Sequence, residues 1–249
     1  MVRLSVNVNK VATLRNSRGG DEPRVLDAVA VCLQAGVHGI TVHPRADERH
    51  IKPHDVDDIA AALESKRPAV EFNIEGDPRP DLIDLVRRVR PDQCTLVPVV
   101  PGEITSQAGW TAEPAAARLP AIIDDLKSRS VRISLFIDPT PEAVHLAASL
   151  GADRVELYTE PYARAFERGA SAAHASFATY AAAAELAHRL GLGINAGHDL
   201  NLDNLMIFRE LPYLDELSIG HAIMSRALFV GLDTVVREYL AVLSGGRPA

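Results

Sequence analysis

Cysteine is scarce in this chain, which has only Cys32 and Cys94 in 249 residues and no CxxC pair. One pair cannot hold a domain of this size together, so the sequence excludes a disulfide-stabilised fold. Cys32 lies in the helix-like stretch VLDAVAVCLQAG, and Cys94 begins the apolar run CTLVPVV. We therefore expect both cysteines to be buried, reduced thiols.

Long apolar runs and basic clusters are also missing. No run approaches the roughly 18 residues of a membrane-spanning helix, and the first residues lack the apolar core of a signal peptide. The net charge is -7, and only four of the 26 Lys and Arg residues are lysines. This balance, with no basic tail, argues against a surface for nucleic acid. These absences predict a cytoplasmic protein that binds neither membrane nor nucleic acid.

Short apolar runs alternate regularly with helical stretches. Eight strand-like runs and eight helical segments follow one another with no Pro/Gly/Ser-rich linker. Such alternation implies parallel strands joined by right-handed crossovers. The competing fold, a doubly wound open sheet, usually has a Gly-rich turn after its first strand. No GxGxxG occurs here, so the sequence predicts a single (β/α)8 TIM barrel domain over residues 1–249.

Local signals place several helix ends. Pro80 suits the first turn of a helix, and Thr140-Pro141 resembles an N-cap followed by its first helical residue. Gly151 suits the end of that helix. Helices are expected near residues 24–35, 55–65, 113–128, 202–210 and 224–243, with a loop between the first strand (about 4–9) and the first helix.

The stretch between the sixth and seventh strands, about residues 160–191, is longer than a barrel crossover needs. Its Ala-rich faces predict extra helical segments that pack against another subunit. The alternative is one long solvent-facing helix.

Almost every strand-like run ends in a polar or ionisable residue. In chain order these are Asn7, Asn9, His43, Glu75, Asp138, Glu156, His198 and His221. In a (β/α)8 barrel the loops after the strands build the active site. We therefore expect these side chains at one rim, except Asp138, which precedes Pro-Thr-Pro and is equally well explained as a turn residue.

The residue types at this rim suit proton transfer. His43, Arg45 and His50 follow the second strand; imidazole titrates near neutral pH, and guanidinium groups suit phosphate. Glu75 and Glu156 end apolar runs, where desolvation raises the pKa of a carboxyl group and makes it a plausible general base. The alternatives are a solvated loop histidine and structural ion pairs between the glutamates and neighbouring arginines.

Two Gly-His pairs, Gly197-His198 and Gly220-His221, occur in the loops after the seventh and eighth strands. Barrels often bind phosphate there, with backbone N–H groups and a helix N-terminus. Glycine lets the backbone approach a ligand closely. The two pairs together therefore predict phosphate binding.

Two further loops carry candidate groups. The first loop holds Lys10, Arg15 and Arg18 as possible phosphate contacts. The loop after the fourth strand, VPGEITSQAGW, has Gly102 and Gly109 as possible hinges. It is either a lid over the site or an ordinary surface loop.

A metal ion or a Schiff-base lysine would be an alternative chemistry. His43, Glu75, His198 and His221 could ring a divalent ion, but no HxH or HExxH occurs and the rim cations favour an anionic substrate. Lys10 is the only lysine near a strand end, and a cation among arginines is better explained as a phosphate contact. The residues alone predict a phosphorylated carbonyl substrate, proton transfers by His and Glu, and no metal.

Eight motifs carry a family resemblance. In chain order they are NVNKVATLRNSRG, GITVHPRADERHI, NIEG, LVP, SLFID, VELYT, INAGHDLN and ELSIGHAI. Together they resemble the pyridoxine 5′-phosphate synthase family of the deoxyxylulose-dependent vitamin B6 pathway. The resemblance runs from about residue 4 to residue 230 and includes all eight predicted strands.

This resemblance implies a cofactor-independent (β/α)8 barrel that assembles from dimers into a homo-octamer. It implies condensation of two phosphorylated small molecules, 1-deoxy-D-xylulose 5-phosphate and 3-amino-2-oxopropyl phosphate. The products would be pyridoxine 5′-phosphate, inorganic phosphate and water.

The resemblance also implies roles for individual residues. His43 and Glu75 would accept protons, His198 would donate one, and Glu156 would stabilise a transition state. Substrate contacts are implied for Arg45, His50 and Thr105 on the sugar phosphate, for Asn7, Arg18, Gly220 and His221 on the amino-ketone phosphate, and for Asn9, Lys10 and Asp199 beside them.

Two places depart from the family pattern. Many members have Asp-His where this chain has Asn9-Lys10, and glycine where it has Asp199. Lys10 still offers positive charge to the sugar phosphate, and Asn9 keeps its hydrogen bonding without the carboxylate. Because a carboxylate repels phosphate, we expect the Asp199 side chain to turn away from it. Two alternatives stay open: a phosphosugar isomerase or epimerase, and a phosphometabolite-binding barrel that has lost activity at Asn9-Lys10.

Overall fold

Parallel strands close into a barrel in the computed structural model, which describes residues 1–99 and 106–246. The strands are β1 (Arg3–Asn7), β2 (Gly39–Val42), β3 (Glu71–Gly76), β4 (Gln93–Leu96), β5 (Arg132–Ile137), β6 (Arg154–Tyr158), β7 (Gly193–Gly197) and β8 (Leu214–Ile219). Each strand pairs with the next along the chain, and β8 pairs with β1. The predicted (β/α)8 barrel is confirmed.

Helices fill the crossovers between these strands. Within the described residues they are α1 (Asn9–Asn16), α2 (Val25–Ala35), α3 (Pro53–Leu63), α4 (Pro80–Val89), α5 (Ala112–Arg118), α6 (Pro120–Ser128), α7 (Pro141–Ser149), α8 (Glu160–Glu167), α9 (Ala170–Arg189), α10 (Leu205–Phe208), α11 (His221–Val230) and α12 (Leu232–Leu243). Over these ranges, none is long and apolar enough to cross a membrane.

The predicted helix ends around α4 and α7 are confirmed. Pro80 begins α4, and Pro141 begins α7. The Thr140 hydroxyl accepts a hydrogen bond from the Ala143 N–H at 3.2 Å, which satisfies one of the unpaired donors of the first turn. Gly151 follows α7 with a φ of +76°, the left-handed conformation that ends many helices.

The expected loop after β1 is wrong, because α1 occupies it. The N–H of Asn9 donates to the side-chain oxygen of Asn7 at 3.0 Å, so the chain turns into a helix directly after the strand. No Gly or Pro interrupts the helix before Gly19, which has a φ of +68°. The run is rich in polar residues, which favours a loop, but each of its residues can also continue a helix.

Helix breakers split three of the predicted helical segments. Pro120 separates α5 from α6 because its nitrogen carries no hydrogen for the helix ladder. Gly169 and Gly231 adopt φ values of +109° and +87° and separate α8 from α9 and α11 from α12. Separately, the last helical segment begins at His221 rather than near 224.

Extra helices fill the crossover between β6 and β7, as predicted. α8 packs on α9, and α9 packs on α7. The buried residues of α9 are Ala173, Tyr180, Ala183, Ala184 and Ala187. Since this Ala-rich face contacts its own chain, the crossover is not a lone solvent-facing helix. Contact with another subunit stays a prediction.

The barrel interior is polar, whereas apolar side chains fill the layer between strands and helices. The Asn195 amide on β7 donates across the barrel to the side chain of Gln93 on β4 at 3.4 Å. At the amino end of the strands, Glu71 pairs with Arg132, and Arg3 lies 3.7 Å from Glu71. Hydrogen bonds and ion pairs inside the barrel and at the amino ends of its strands therefore stabilise the strands that carry the carboxyl-end residues.

Both cysteines are buried and free, as predicted. Burial raises the pKa of the Cys32 thiol and of the Cys94 thiol to about 12. The two side chains therefore remain protonated and act as small apolar groups in the core.

Candidate active site

A cavity of about 480 Å³ opens at the carboxyl ends of the strands, where the rim was predicted. It brings together all but two of the predicted site residues, namely Asn7, Asn9, Lys10, His43, Arg45, His50, Glu75, Glu156, His198, Asp199, Gly220 and His221. Ligand sites of small-molecule enzymes have volumes of this order.

The two exceptions are Thr105 and Arg18. Thr105 lies outside the described residues. Arg18 follows the end of α1, is exposed and does not line the cavity. Arg15, the third cation of the first loop, is buried. Its guanidinium donates to the two carboxylate oxygens of Asp55 at 2.5 Å and 2.9 Å, so its charge stabilises the fold and is not available to a phosphate.

His43 follows β2 and is held by its backbone. Its N–H donates to the side-chain oxygen of Asn9 at 2.9 Å, which ties the end of β2 to the first turn of α1. The ring Nδ1 lies 3.9 Å from a carboxylate oxygen of Glu75. Burial lowers the pKa of His43 well below its usual value, and the nearby charge of Arg45 lowers it further. His43 is therefore a neutral imidazole near pH 7.

Glu75 is the second-last residue of β3 and is almost fully buried. Its carboxylate accepts weak hydrogen bonds from the Ser218 hydroxyl at 3.3 Å and the Asn7 amide at 3.5 Å. Burial raises the pKa of Glu75 to about 7, although the bond from Ser218 acts in the opposite direction. A carboxyl group that titrates at this pH is suited to accept and return a proton.

Glu156 lies on β6 and is 2% exposed. Among the described residues its Oε2 atom has no hydrogen-bond partner. Burial raises the pKa of Glu156 well above its ordinary value, and the charges of Glu75 and Glu216 raise it further. Two neighbouring buried carboxyl groups cannot both ionise cheaply, so Glu156 is the protonated member near pH 7.

His198 follows β7 with its ring against two aromatic side chains. Its centroid lies 4.9 Å from that of Phe136 and 5.5 Å from that of Tyr158. Burial lowers the pKa of His198, while the charge of Asp199 raises it. The imidazole is therefore neutral in the unliganded site, and its Nδ1 has no partner within the described chain.

Cationic groups line the side of the cavity next to β1 and β2. Lys10 and Arg45 both border it, and Arg45 is 9% exposed. The His50 ring lies 6.2 Å from that of His43. Burial lowers the pKa of His50 to about 4, with Arg45 and Lys10 adding to the effect, so this ring is a neutral hydrogen-bonding group.

Glycine is required at two rim positions. A Cβ at Gly220 would lie 2.9 Å from the backbone oxygen of Asn7, and one at Gly197 would lie 2.8 Å from that of Ser218. His221 follows Gly220 as the first residue of α11, so backbone N–H groups of a helix N-terminus face this part of the cavity.

The predicted lid after β4 falls largely outside the described residues, including Gly102. Gly109 is anchored instead of free: its N–H donates to Asp138 at 3.2 Å, and a Cβ there would lie 2.4 Å from the backbone of Ile137. The adjacent Trp110 is buried, with its ring N–H bonded to the carbonyl of Leu96 at 2.9 Å. This end of the segment packs on the barrel.

Sequence reasoning missed several lining residues, including Thr13, Arg49, Ser106 and Ser218. Ser218 had a usable signal, because it lies two residues before Gly220 in a strand whose alternate side chains face the interior. In the described part of the chain, no three His, Cys, Asp or Glu side chains are placed to hold a metal ion.

Comparison with known proteins agrees with the geometry. The family described as pyridoxal phosphate biosynthesis protein PdxJ matches residues 4–245. A relative from Bacteroides thetaiotaomicron named pyridoxine 5′-phosphate synthase is 51% identical over 240 residues, covering 96% of this chain and 98% of the relative. A protein of the same name from Christiangramia forsetii is 49% identical, covering 98% of this chain and 100% of the relative. Another from Leptospira biflexa is 46% identical, covering 99% of each chain.

Among solved structures, phosphoribosyl anthranilate isomerase from Thermus thermophilus aligns with a TM-score of 0.60 at 15% identity, over 98% of this chain and 99% of the isomerase. That likeness reflects the barrel fold alone. The near-complete family match and the close relatives are decisive: the chain belongs to the pyridoxal phosphate biosynthesis protein PdxJ family.

Proposed function

We propose that this protein is a pyridoxine 5′-phosphate synthase that condenses 1-deoxy-D-xylulose 5-phosphate with 3-amino-2-oxopropyl phosphate by metal-free acid–base catalysis. The relatives that bear this name support the activity. One observation carries the mechanism: a single cavity holds two buried carboxyl groups (Glu75 and Glu156), three neutral imidazoles (His43, His50 and His198) and the cations Lys10 and Arg45.

The arrangement supports separate places for the two substrates. Arg45, His50 and Lys10 line the side next to β1 and β2, where the sugar phosphate would bind. Gly220 and His221 lie at the N-terminus of α11, with Asn7 at the end of β1 beside them, and the amino-ketone phosphate would bind there. Two anchored phosphates would hold the amine against the ketone, so that much of the rate comes from proximity.

The proposed reaction needs several proton transfers. The amine attacks the sugar ketone and loses water to give an imine; enolisation, loss of phosphate and aldol-type ring closure then follow. Glu75, with a pKa of about 7, can accept a proton at one step and return it at another. His43 is 3.9 Å from Glu75 and can relay it.

Glu156 and His198 have complementary tasks in this scheme. A protonated Glu156 donates a hydrogen bond to an oxygen that gains negative charge, which fits the proposed transition-state role. His198 is neutral before substrates bind, so it must gain a proton before it can donate one. Bound phosphates favour that protonated form because their negative charge stabilises it.

The test is product formation by EDTA-treated protein given both phosphates, followed by the absorbance of pyridoxine 5′-phosphate and by released phosphate. We expect turnover without added metal, and its collapse in Glu75→Gln and His198→Asn. Full recovery only after a divalent metal is restored would contradict the metal-free mechanism. Binding of both phosphates with no product in any condition would favour a binding barrel.

A further inference from the structure

Two consecutive residues after β7, His198 and Asp199, have positive φ values of +86° and +58°. This left-handed region is disfavoured for every residue except glycine, because the Cβ atom clashes with the backbone. Both residues line the cavity, and His198 is the proposed proton donor. Residues keep such a conformation only where neighbouring groups stabilise it. The groups that contact this backbone therefore identify what fixes the position of His198.

Thr159 holds the first of these residues. It is fully buried, and its hydroxyl oxygen lies 2.5 Å from the carbonyl oxygen of His198 and 2.6 Å from that of Gly197. The Gly197 carbonyl also accepts the Thr159 N–H at 3.1 Å, so His198 is the partner that depends on the hydroxyl alone. Thr159 is the N-cap of α8 but makes no side-chain cap bond, because its hydroxyl is turned toward β7.

Asn204 holds the second residue. It is 1% exposed, and its amide nitrogen donates to the carbonyl oxygen of Asp199 at 3.0 Å. Its side-chain oxygen accepts the Asn201 N–H at 2.9 Å, and its own carbonyl accepts the Tyr162 hydroxyl at 2.7 Å. The amide is therefore fixed at both ends and cannot rotate away without breaking a second bond.

The two bonds orient the two peptide groups that follow His198 and Asp199. Because these peptides are trans, the N–H groups of Asp199 and Leu200 point away from Thr159 and Asn204. Neither N–H donates a hydrogen bond anywhere in residues 1–99 and 106–246, and both residues line the cavity. The same backbone sets where the His198 imidazole lies against Phe136 and Tyr158.

We propose that Thr159 and Asn204 are positioning residues for this reaction. Thr159 fixes the backbone of His198 so that its imidazole meets the reacting atoms, and Asn204 fixes the peptide N–H of Leu200 for the amino-ketone phosphate. The inference rests on the proposed function, and it assigns different kinetic consequences to the two side chains.

The test compares Thr159→Val, which keeps the side-chain shape without the hydroxyl, with Thr159→Ser, which restores the hydroxyl. We expect kcat to fall by about 10- to 100-fold in Thr159→Val with little change in either KM, and to recover in Thr159→Ser. Thr140→Val is the matched control, since it also removes a hydroxyl bonded to backbone, at the α7 N-cap. It should lower Tm and leave kcat unchanged.

Asn204→Asp keeps the acceptor for Asn201 and removes the donor to Asp199. We expect this variant to raise KM for 3-amino-2-oxopropyl phosphate more than KM for the sugar phosphate. If Asn204→Asp does not fold, Asn204→Ser takes its place in the test. Equal kcat in Thr159→Val and wild type, failure of Thr159→Ser to recover, or equal rises in both KM values would overturn the proposal.

A crystal structure of Thr159→Val separates this inference from the proposed function. If wild-type protein makes no product, the proposed function fails, and the φ of His198 alone decides the positioning role. A change of that angle out of the left-handed region in Thr159→Val, reversed in Thr159→Ser, supports positioning. An unchanged His198 backbone in Thr159→Val overturns it.

Discussion

Glu75 reaches a pKa of about 7 because its carboxyl group is buried, and the hydrogen bond from Ser218 only partly offsets this. The same cause moves His43 and His198 in the opposite direction, toward the neutral form. Burial thus raises the pKa of the carboxyl group and lowers the pKa of both imidazoles, because it disfavours the charged form of each. Two predictions at the residue scale depend on Glu75.

The first concerns rate. Glu75→Gln removes the proposed general base and should lower kcat by about 10²- to 10⁴-fold. In wild type, kcat/KM should rise as pH increases through about 7, because the carboxylate form is the base. Steady-state kinetics across this pH range checks both points. A Glu75→Gln enzyme that keeps the rising limb would assign it to another group.

The second concerns stability. The folded-state pKa of Glu75 is raised from 4.5 to about 7, so the folded protein binds more protons than the unfolded chain between these values. Its contribution to stability is therefore complete below pH 4.5 and is lost as pH rises through about 7. The loss is at most about 3 kcal/mol. The side chain in Glu75→Gln cannot ionise, so the free energy of unfolding of this variant should fall less over the same pH range.

Urea unfolding of wild type and Glu75→Gln at about pH 5 and about pH 8.5 measures this difference. The free energy of unfolding should decline more steeply with pH in wild type than in the variant. Parallel declines would mean that the carboxyl group of Glu75 is ionised in the folded protein throughout.

At the scale of helices and strands, a buried ion pair joins α1 to α3. Arg15 contacts both carboxylate oxygens of Asp55, and that carboxylate also accepts the Lys52 N–H at the start of α3. Burial opposes the charged form of Asp55, but these bonds outweigh it and lower its pKa. Asn16 on the same helix donates to the carbonyl of His50 at 2.8 Å, so α1 also holds the cavity wall.

Asp55→Ala should therefore destabilise the protein by about 3–5 kcal/mol, because it leaves a buried guanidinium unpaired. It should also raise KM for the sugar phosphate, since the loop with His50 loses its support. Asp57→Ala on the same helix is the control: its pair with Arg88 is exposed and is worth at most about 1 kcal/mol. Urea unfolding and steady-state kinetics of both variants distinguish the two pairs.

Element boundaries were predictable where a residue has one conformational preference. Pro80, Thr140 and Gly151 mark helix ends in the sequence, and the structure agrees. The start of α1 is hard to predict because its first N–H bonds to the side chain of Asn7, a residue that also ends a strand and lines the cavity. A polar residue with several possible partners does not reveal which partner it uses.

At the scale of the whole molecule, barrel closure explains why the rim was predictable from the sequence. Parallel strands of one ring all end at the same face, so any ionisable residue that ends a strand joins the same cavity. The contacts of Thr159 and Asn204 could not be predicted, since Thr159 meets His198 39 residues away. Nothing local distinguishes such a threonine from an ordinary helix cap.

The homo-octamer that the family resemblance implies leads to a prediction for the surface. Leu228 and Phe229, near the end of α11, are 72% and 88% exposed. Together with Val230, which is 41% exposed, they are consecutive exposed apolar side chains, and contiguous exposed apolar surface is typical of protein–protein contacts. Leu228→Ser/Phe229→Ser should shift sedimentation to smaller species, whereas Leu190→Ser, at an isolated exposed leucine, should not. A monomeric wild type would contradict the assembly itself.

The pairing of β8 with β1 has a consequence for biosynthesis on the ribosome. β1 is made first, yet one of its two edges stays without a neighbour until residues 214–219 have been translated. A nascent or truncated chain that stops before β8 presents two open strand edges, and such edges pair with other chains. Premature termination late in the coding sequence should therefore yield insoluble protein in place of a nearly complete enzyme.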